Sequence, residues 1–141
     1  MAGHPIDYYV YSGSWGTDEG RKIFSEEQMI DRWLKIEAAL AEAEAEMGII
    51  PEWAAREICA KASVGNIDLD LAKAEQQKTR HSLVPVIRAF AKACGEKAGE
   101  YVHFGPTTQD IIDTGNVLAL REVMTAVARD LEAIEKRLAQ L

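Results

Sequence analysis

Two short polar clusters hold the residue types best suited to gripping an anion. The first is Arg80-His81-Ser82, where a guanidinium fork, a titratable ring and a hydroxyl stand side by side. Such a trio can hold a carboxylate or a phosphate with a proton-carrying group next to it. The competing reading is that Arg80 pairs with a surface carboxylate and Ser82 caps the next helix. The second cluster is Thr107-Thr108, directly after Gly105-Pro106 and ahead of the longest helical pattern in the chain. A helix start leaves free backbone N–H groups and a positive dipole end, which attract carboxylate or phosphate. Plain capping by Thr107 or Thr108 accounts for the same two hydroxyls. The remaining histidines, His4 in a glycine-rich arm and His103 in a link, have no such company.

The elements that must position these clusters read as helices. Residues 1–24 contain Gly3, Gly13, Gly16 and Gly20 among serines, tyrosines and Trp15, with neither helical nor alternating periodicity. They read as an extended arm whose Tyr8, Tyr9, Tyr11 and Trp15 pack on a core or a neighbouring subunit. Ser25 with Gln28 makes a capping box, followed by Met29, Trp33, Ile36, Leu40, Ala43 and Met47 as the apolar face of a helix ending near Gly48. On this reading Glu42, Glu44 and Glu46 belong to a solvated acidic face. Pro51 suits the first turn of a second helix to about Ala62, and Asp68 caps a third towards Thr79. A fourth runs from Leu83 through Phe90 to Cys94, closed by Gly95, and a link from Glu96 to Phe104 leads to the Gly105 turn.

Beyond that turn Leu120, Met124, Val127, Leu131, Ile134, Leu138 and Leu141 alternate spacings of four and three. This seam predicts packing against other long helices. From Thr108 onward the helix would measure about 50 Å. The seam reaches Leu141 without glycine, proline or cap, so the chain reads as cut in mid-helix, a fragment or a short relative that completes its bundle by oligomerising. The expected fold class is all-α. The expected organisation is an arm over 1–24, an N-terminal helical domain over 25–106, and the start of a long bundle helix over 107–141.

Composition narrows the function. With 141 residues, 48% hydrophobic and 28% charged, the chain is one globular domain's worth of sequence. A net charge of -7 argues against nucleic acid or an anionic membrane as main partner, so any anion site is local. No stretch has the length of a membrane span, and no apolar run suits a signal peptide. Cys59 and Cys94 lie far apart without a CxxC, which fits reduced thiols in a cytoplasmic protein better than zinc or a disulfide framework. No phosphate loop, dinucleotide fingerprint, nucleophile elbow or metal-binding histidine pair is present, so neither a cofactor nor a metal is expected.

Three stretches resemble the N-terminal region of the fumarase/aspartase superfamily, in its adenylosuccinate lyase branch: IFSEEQMIDRWLKIEAALAEAEAEMGIIP at 23–51, KTRHSLVPVIRAFAKACGE at 78–96 and VHFGPTTQDIIDTG at 102–115. The last is similar to that family's Thr-Ser-x-Asp turn. The resemblance implies an all-helical homotetramer whose active sites draw on three subunits. It implies loss of fumarate from a succinylated substrate through an aci-carboxylate intermediate. Thr107 and Thr108 would then be the hydroxyl pair that grips the substrate, with Arg80, His81 and Ser82 matching an Arg-His-Asp trio in contact with substrate and phosphate, His81 in the catalytic role. A small dicarboxylate or succinylated molecule is the implied partner.

The chain also departs from that pattern. Ser82 stands where the family's aspartate is usual, and no tyrosine of the arm matches the Arg-Tyr phosphate grip. The later histidine segment and the serine loop with its Ser-Ser-x-Met-Pro-x-Lys signature do not occur in these 141 residues. A cycloisomerase of the same superfamily, acting on a muconate-type acid, and a non-catalytic helical assembly module remain as alternatives.

Overall fold

A computed structural model describes His4 and residues 8–141. Among these the secondary structure is helical throughout, with seven α-helices: α1 (Asp18–Ile23), α2 (Glu26–Glu46), α3 (Glu52–Lys61), α4 (Leu69–Thr79), α5 (Val84–Ala93), α6 (Gly95–Gly99) and α7 (Thr108–Leu138). Single 3-10 turns occur at Ser12–Ser14 and Val64–Asn66.

The helix starts follow the capping chemistry. Ser25 Oγ accepts from the Gln28 N–H at 3.2 Å, and Asp68 Oδ1 from the Leu71 N–H at 2.9 Å. Pro51 stands at the N-cap of α3, and Gly48, at φ +71°, lets the chain leave α2. Two helices escape the sequence reading. The arm is not extended throughout: Asp18–Ile23 form α1, whose first turn is fixed by Thr17 Oγ1 accepting from the Gly20 N–H at 3.0 Å. Nor is the link after Gly95 irregular from its start, since α6 occupies Gly95–Gly99. There Gly99 crosses so close to the Ala91 carbonyl that no Cβ fits.

The face of α2 is also turned from the expected one. Ile30, Leu34, Glu37, Ala41 and Glu44 form the buried stripe, with Trp33 beside it, while Met29 and Met47 are exposed. Glu44 therefore belongs to the interior rather than to a solvated acidic face. In an alanine-rich helix the hydrophobic contrast between faces is small, so side chains supplied by other segments decide which face goes inside.

The chain divides into two compact units. One is Ile30–Val117. Its core is Trp33 and Leu34 from α2, Ile58 from α3, Ala72 from α4, Val86 and Phe90 from α5, and Ile111 from the start of α7. Leu34, Ile58, Leu83 and Phe90 are fully buried, and burial of such side chains contributes about 1.5–3 kcal/mol each. Gly115 of α7 lies against Trp33, where an added Cβ would come within 2.9 Å of the indole. Cys94 is buried and Cys59 half-buried, both as free thiols. Burial pushes the Cys94 thiol up to about 11.

The other unit combines the described residues before Ile30 with Leu118–Leu141. Within it, Glu19 of α1 and Arg129 of α7 form a two-pronged ion pair at 2.9 and 3.2 Å. Tyr9, Tyr11 and Trp15 are exposed here, so the arm's aromatics do not pack into a core of this chain. The α7 seam is exposed as well, from 42% at Val127 to 64% at Leu138. A single chain therefore leaves that apolar stripe unpaired.

Candidate functional site

The Arg80-His81-Ser82 cluster forms the reversal between α4 and α5. Arg80 is the C-cap of α4 in the left-handed region, φ +51°, with its N–H donating to the Gln76 carbonyl at 2.8 Å. His81 Nδ1 accepts from the backbone N–H groups of Leu83 and Val84, at 3.2 and 3.3 Å. The imidazole thus does the capping that the sequence reading offered to Ser82. With Nδ1 occupied as an acceptor, the neutral ring carries its proton on Nε2. Arg80 and Ser82 are exposed, and among the described residues neither the guanidinium nor the hydroxyl has a hydrogen-bond or ion-pair partner. Glu75, one turn earlier in α4, pairs instead with Lys78 and Arg88.

At the other cluster, Gly105 takes φ +93° and α7 begins at Thr108. Neither threonine hydroxyl caps the helix. Asp110, in the first turn, reaches back instead: its Oδ2 accepts from the Thr107 N–H at 3.0 Å, while the Asp110 N–H donates to the Thr107 carbonyl at 3.1 Å. Thr107 is exposed and Thr108 half-buried, and both hydroxyls lack a partner among the described residues. Two unengaged hydroxyls at the N-terminus of a 31-residue helix are a donor set for an anion. Both clusters belong to the Ile30–Val117 unit, and no hydrogen bond or ion pair joins one to the other.

A third group, absent from the sequence reading, lies under this turn. His103 Nδ1 stands 2.7 Å from Glu37 Oε1, with the Glu37 side chain 1% exposed and the imidazole 17%. Burial pushes the Glu37 carboxyl up; the His103 imidazole opposes the shift and the Glu44 carboxylate adds to it. Burial likewise raises Glu44, whose Oε1 is 3.7 Å from where a Cβ on Gly105 would sit. The second oxygens of both carboxyls, Oε2 of Glu37 and of Glu44, are buried without a hydrogen-bond partner among the described residues. His103 itself has φ +60°. Arg80 and His103 are the two non-glycine residues of positive φ among those described, one at each candidate cluster. Such conformations persist where surrounding structure holds them, and they concentrate at functional sites. The link is held from outside as well: Tyr101 meets Trp53 edge-on at 5.9 Å, and Phe104 lies 6.4 Å from Tyr101.

Among the described residues no cluster of three potential metal ligands occurs, and no helix is long and apolar enough to cross a membrane.

No family model matches the chain. Over its full length it is 46% identical to an adenylosuccinate lyase of Methanocaldococcus jannaschii, covering 28% of that protein. Over 99% of its length it is 43% identical to an N-acetyl-S-(2-succino)cysteine lyase of Dickeya dadantii, covering 31% of it. The crystal structure of a fumarate lyase from Mesorhizobium sp. BNC1 superimposes on the whole chain with a TM-score of 0.82 at 33% identity, the chain covering 31% of it. A 3-carboxy-cis,cis-muconate lactonizing enzyme from Pseudomonas putida matches 94% of the chain with a TM-score of 0.86 at 32% identity, 30% of that enzyme being covered. The chain thus spans about three-tenths of the length of these relatives. Over essentially its whole length the chain is thus similar, in sequence and in fold, to lyases of the fumarase/aspartase superfamily, consistent with the N-terminal region of that superfamily.

Proposed function

We propose that the chain supplies the carboxylate-binding part of a lyase that releases fumarate from a succinylated amine or thiol. The observation that carries this reading is the pair of unengaged hydroxyls, Thr107 and Thr108, at a helix start where the Asp110 carboxylate takes only the Thr107 N–H. Hydroxyls with no internal contact are left for a ligand. Two relatives support the substrate class, one named for adenylosuccinate and one for a succinylated cysteine. Their names share the succinyl group and differ in the leaving atom.

In such an elimination a base removes a proton from the carbon beside one carboxylate, and that carboxylate takes up the charge as an aci-carboxylate. The electron pair then forms the double bond of fumarate as the carbon–nitrogen or carbon–sulfur bond breaks, and the leaving atom is protonated. The Thr107 and Thr108 hydroxyls, with the free N–H groups of the first turn of α7, donate to the carboxylate whose charge grows. Arg80 is the second anchor, a guanidinium with no internal partner. His81, held through Nδ1, offers its Nε2–H as a hydrogen-bond donor to substrate. The proton-transferring groups belong to the histidine segment and serine loop that these 141 residues lack, so the chain alone does not turn over. Ser82 in place of aspartate and the missing Arg-Tyr pair favour a substrate that does not depend on a phosphate grip.

Complementation tests the reading. The chain is mixed with a polypeptide that carries the later superfamily motifs and supplied with succinylated amines and thiols. Fumarate absorbance that requires both polypeptides is expected; a folded mixed assembly that releases none from any of them contradicts the reading. The fold match to the muconate lactonizing enzyme favours a second reading, cycloisomerisation, in which the same mixture converts a carboxymuconate to a lactone. Chromatography of the products separates the two.

A further inference from the structure

The Glu37–His103 pair has no part in the mechanism above, yet it places a carboxyl 1% exposed against an imidazole two residues ahead of Gly105. We propose that Glu37 is a positioning residue: its buried carboxylate holds the Nδ1–H of His103 and so presents the Nε2 lone pair as a hydrogen-bond acceptor beside the turn that carries Thr107 and Thr108.

Three observations converge on this arrangement. The contact is 2.7 Å and is made through Nδ1, which leaves Nε2 as the ring nitrogen open to another partner. A buried carboxylate that accepts an imidazole N–H fixes both the tautomer and the plane of the ring. The backbone of His103 is held at φ +60°, a conformation that a β-carbon-bearing residue keeps only when its surroundings enforce it. The charged groups facing Glu37 are His103 from the link and Glu44 from its own helix. Glu44 Oε1 lies under Gly105, so the carboxyl pair, the imidazole and the turn form one local structure. The two histidines of this unit then present opposite faces. His81 accepts at Nδ1 and offers Nε2–H, whereas His103 donates at Nδ1 and offers the lone pair of Nε2. Donor and acceptor roles are thereby assigned by local contacts before any substrate arrives.

What the ring does at the turn rests on the carboxylate-site reading; its tautomer does not. The test is the nitrogen spectrum of the 15N-labelled full chain, at a pH where imidazole is neutral. Free histidine prefers its proton on Nε2. The expected result is that His103 shows an N–H signal at Nδ1 and a lone-pair signal at Nε2. In Glu37→Met, which keeps the volume and removes the acceptor, the two signals exchange places and the ring returns to the ordinary tautomer. A wild-type ring protonated at Nε2 overturns the inference, as does a folded Glu37→Met chain that keeps the Nδ1–H form. Because the wild-type spectrum alone can refute it, a variant that fails to fold leaves the test intact. A negative tautomer result with fumarate release intact rejects this assignment and spares the functional reading; the reverse pair of results rejects only the latter.

Discussion

At the scale of single residues the buried carboxyls have a measurable cost. Glu37 and Glu44 are raised by burial, so the folded state holds their protons more tightly than the unfolded chain does. The sign follows from linkage. The stability each contributes is fully present below the ordinary carboxyl range and is lost as pH rises through the raised folded value. Glu44 has no basic partner to offset that loss, whereas Glu37 has His103. Glu44→Gln should therefore stabilise the chain at neutral pH, with the gain disappearing as pH falls below the carboxyl range; parallel thermal melts across pH check it. An equal gain at every pH would mean that ionisation of Glu44 is not the cause. None of this was legible beforehand. Glu37 and His103 are 66 positions apart, and no local spacing connects a glutamate in an alanine-rich helix with a histidine in a link. Arg80, His81, Thr107 and Thr108 could be singled out because hydroxyl, guanidinium and imidazole stood next to helix-breaking residues, a purely local signal. Which of them caps a helix could not be, since that depends on whether Asp110 and the His81 ring reach the backbone first.

At the scale of elements the helix starts were readable because caps are local. Ser25 with Gln28 and Asp68 with Leu71 behave as their types predict. The short helices were hidden by their glycines: α6 begins and ends on one, and α1 lies in a stretch where glycine spacing masks the Thr17 cap. The buried face of α2 differs from the one its spacing predicts because alanine gives little contrast and two of its inward residues are glutamates. Close approach of α7 to α2 depends on Gly115 beneath the Trp33 indole. Gly115→Ala forces a bulky, buried ring to move and should cost about 1–3 kcal/mol, read as a lower melting temperature with altered tryptophan fluorescence. Unchanged melting would show that the two helices separate freely at that point. At the start of α7, Asp110→Ala removes the acceptor for the Thr107 N–H and should destabilise by about 1 kcal/mol. The same substitution leaves both threonine hydroxyls in place, so its effect on denaturant unfolding separates capping from ligand binding.

At the scale of the whole molecule the all-helical class and the superfamily followed from patterns that run through most of the chain. The seam of α7 did too, but a sequence cannot say what covers it. Leu120, Met124, Leu131, Ile134 and Leu138 each remain more than half exposed in the single chain, a contiguous apolar stripe of the kind that drives association. We expect the chain to self-associate through this stripe. Leu131→Glu with Ile134→Glu should shift it to monomer in sedimentation velocity, and a wild-type chain that sediments as a stable monomer would contradict the expectation. Thr107 and Thr108, at the head of α7, are proposed to bind the carboxylate whose charge grows in the reaction. The most direct measurement is kcat/KM of the complemented assembly carrying Thr107→Val with Thr108→Val, two changes that keep side-chain shape and touch no cap. A loss of about 100-fold or more is expected, the scale of removing donors from a developing anion, with an unchanged melting temperature. Wild-type kcat/KM in that double variant would contradict it.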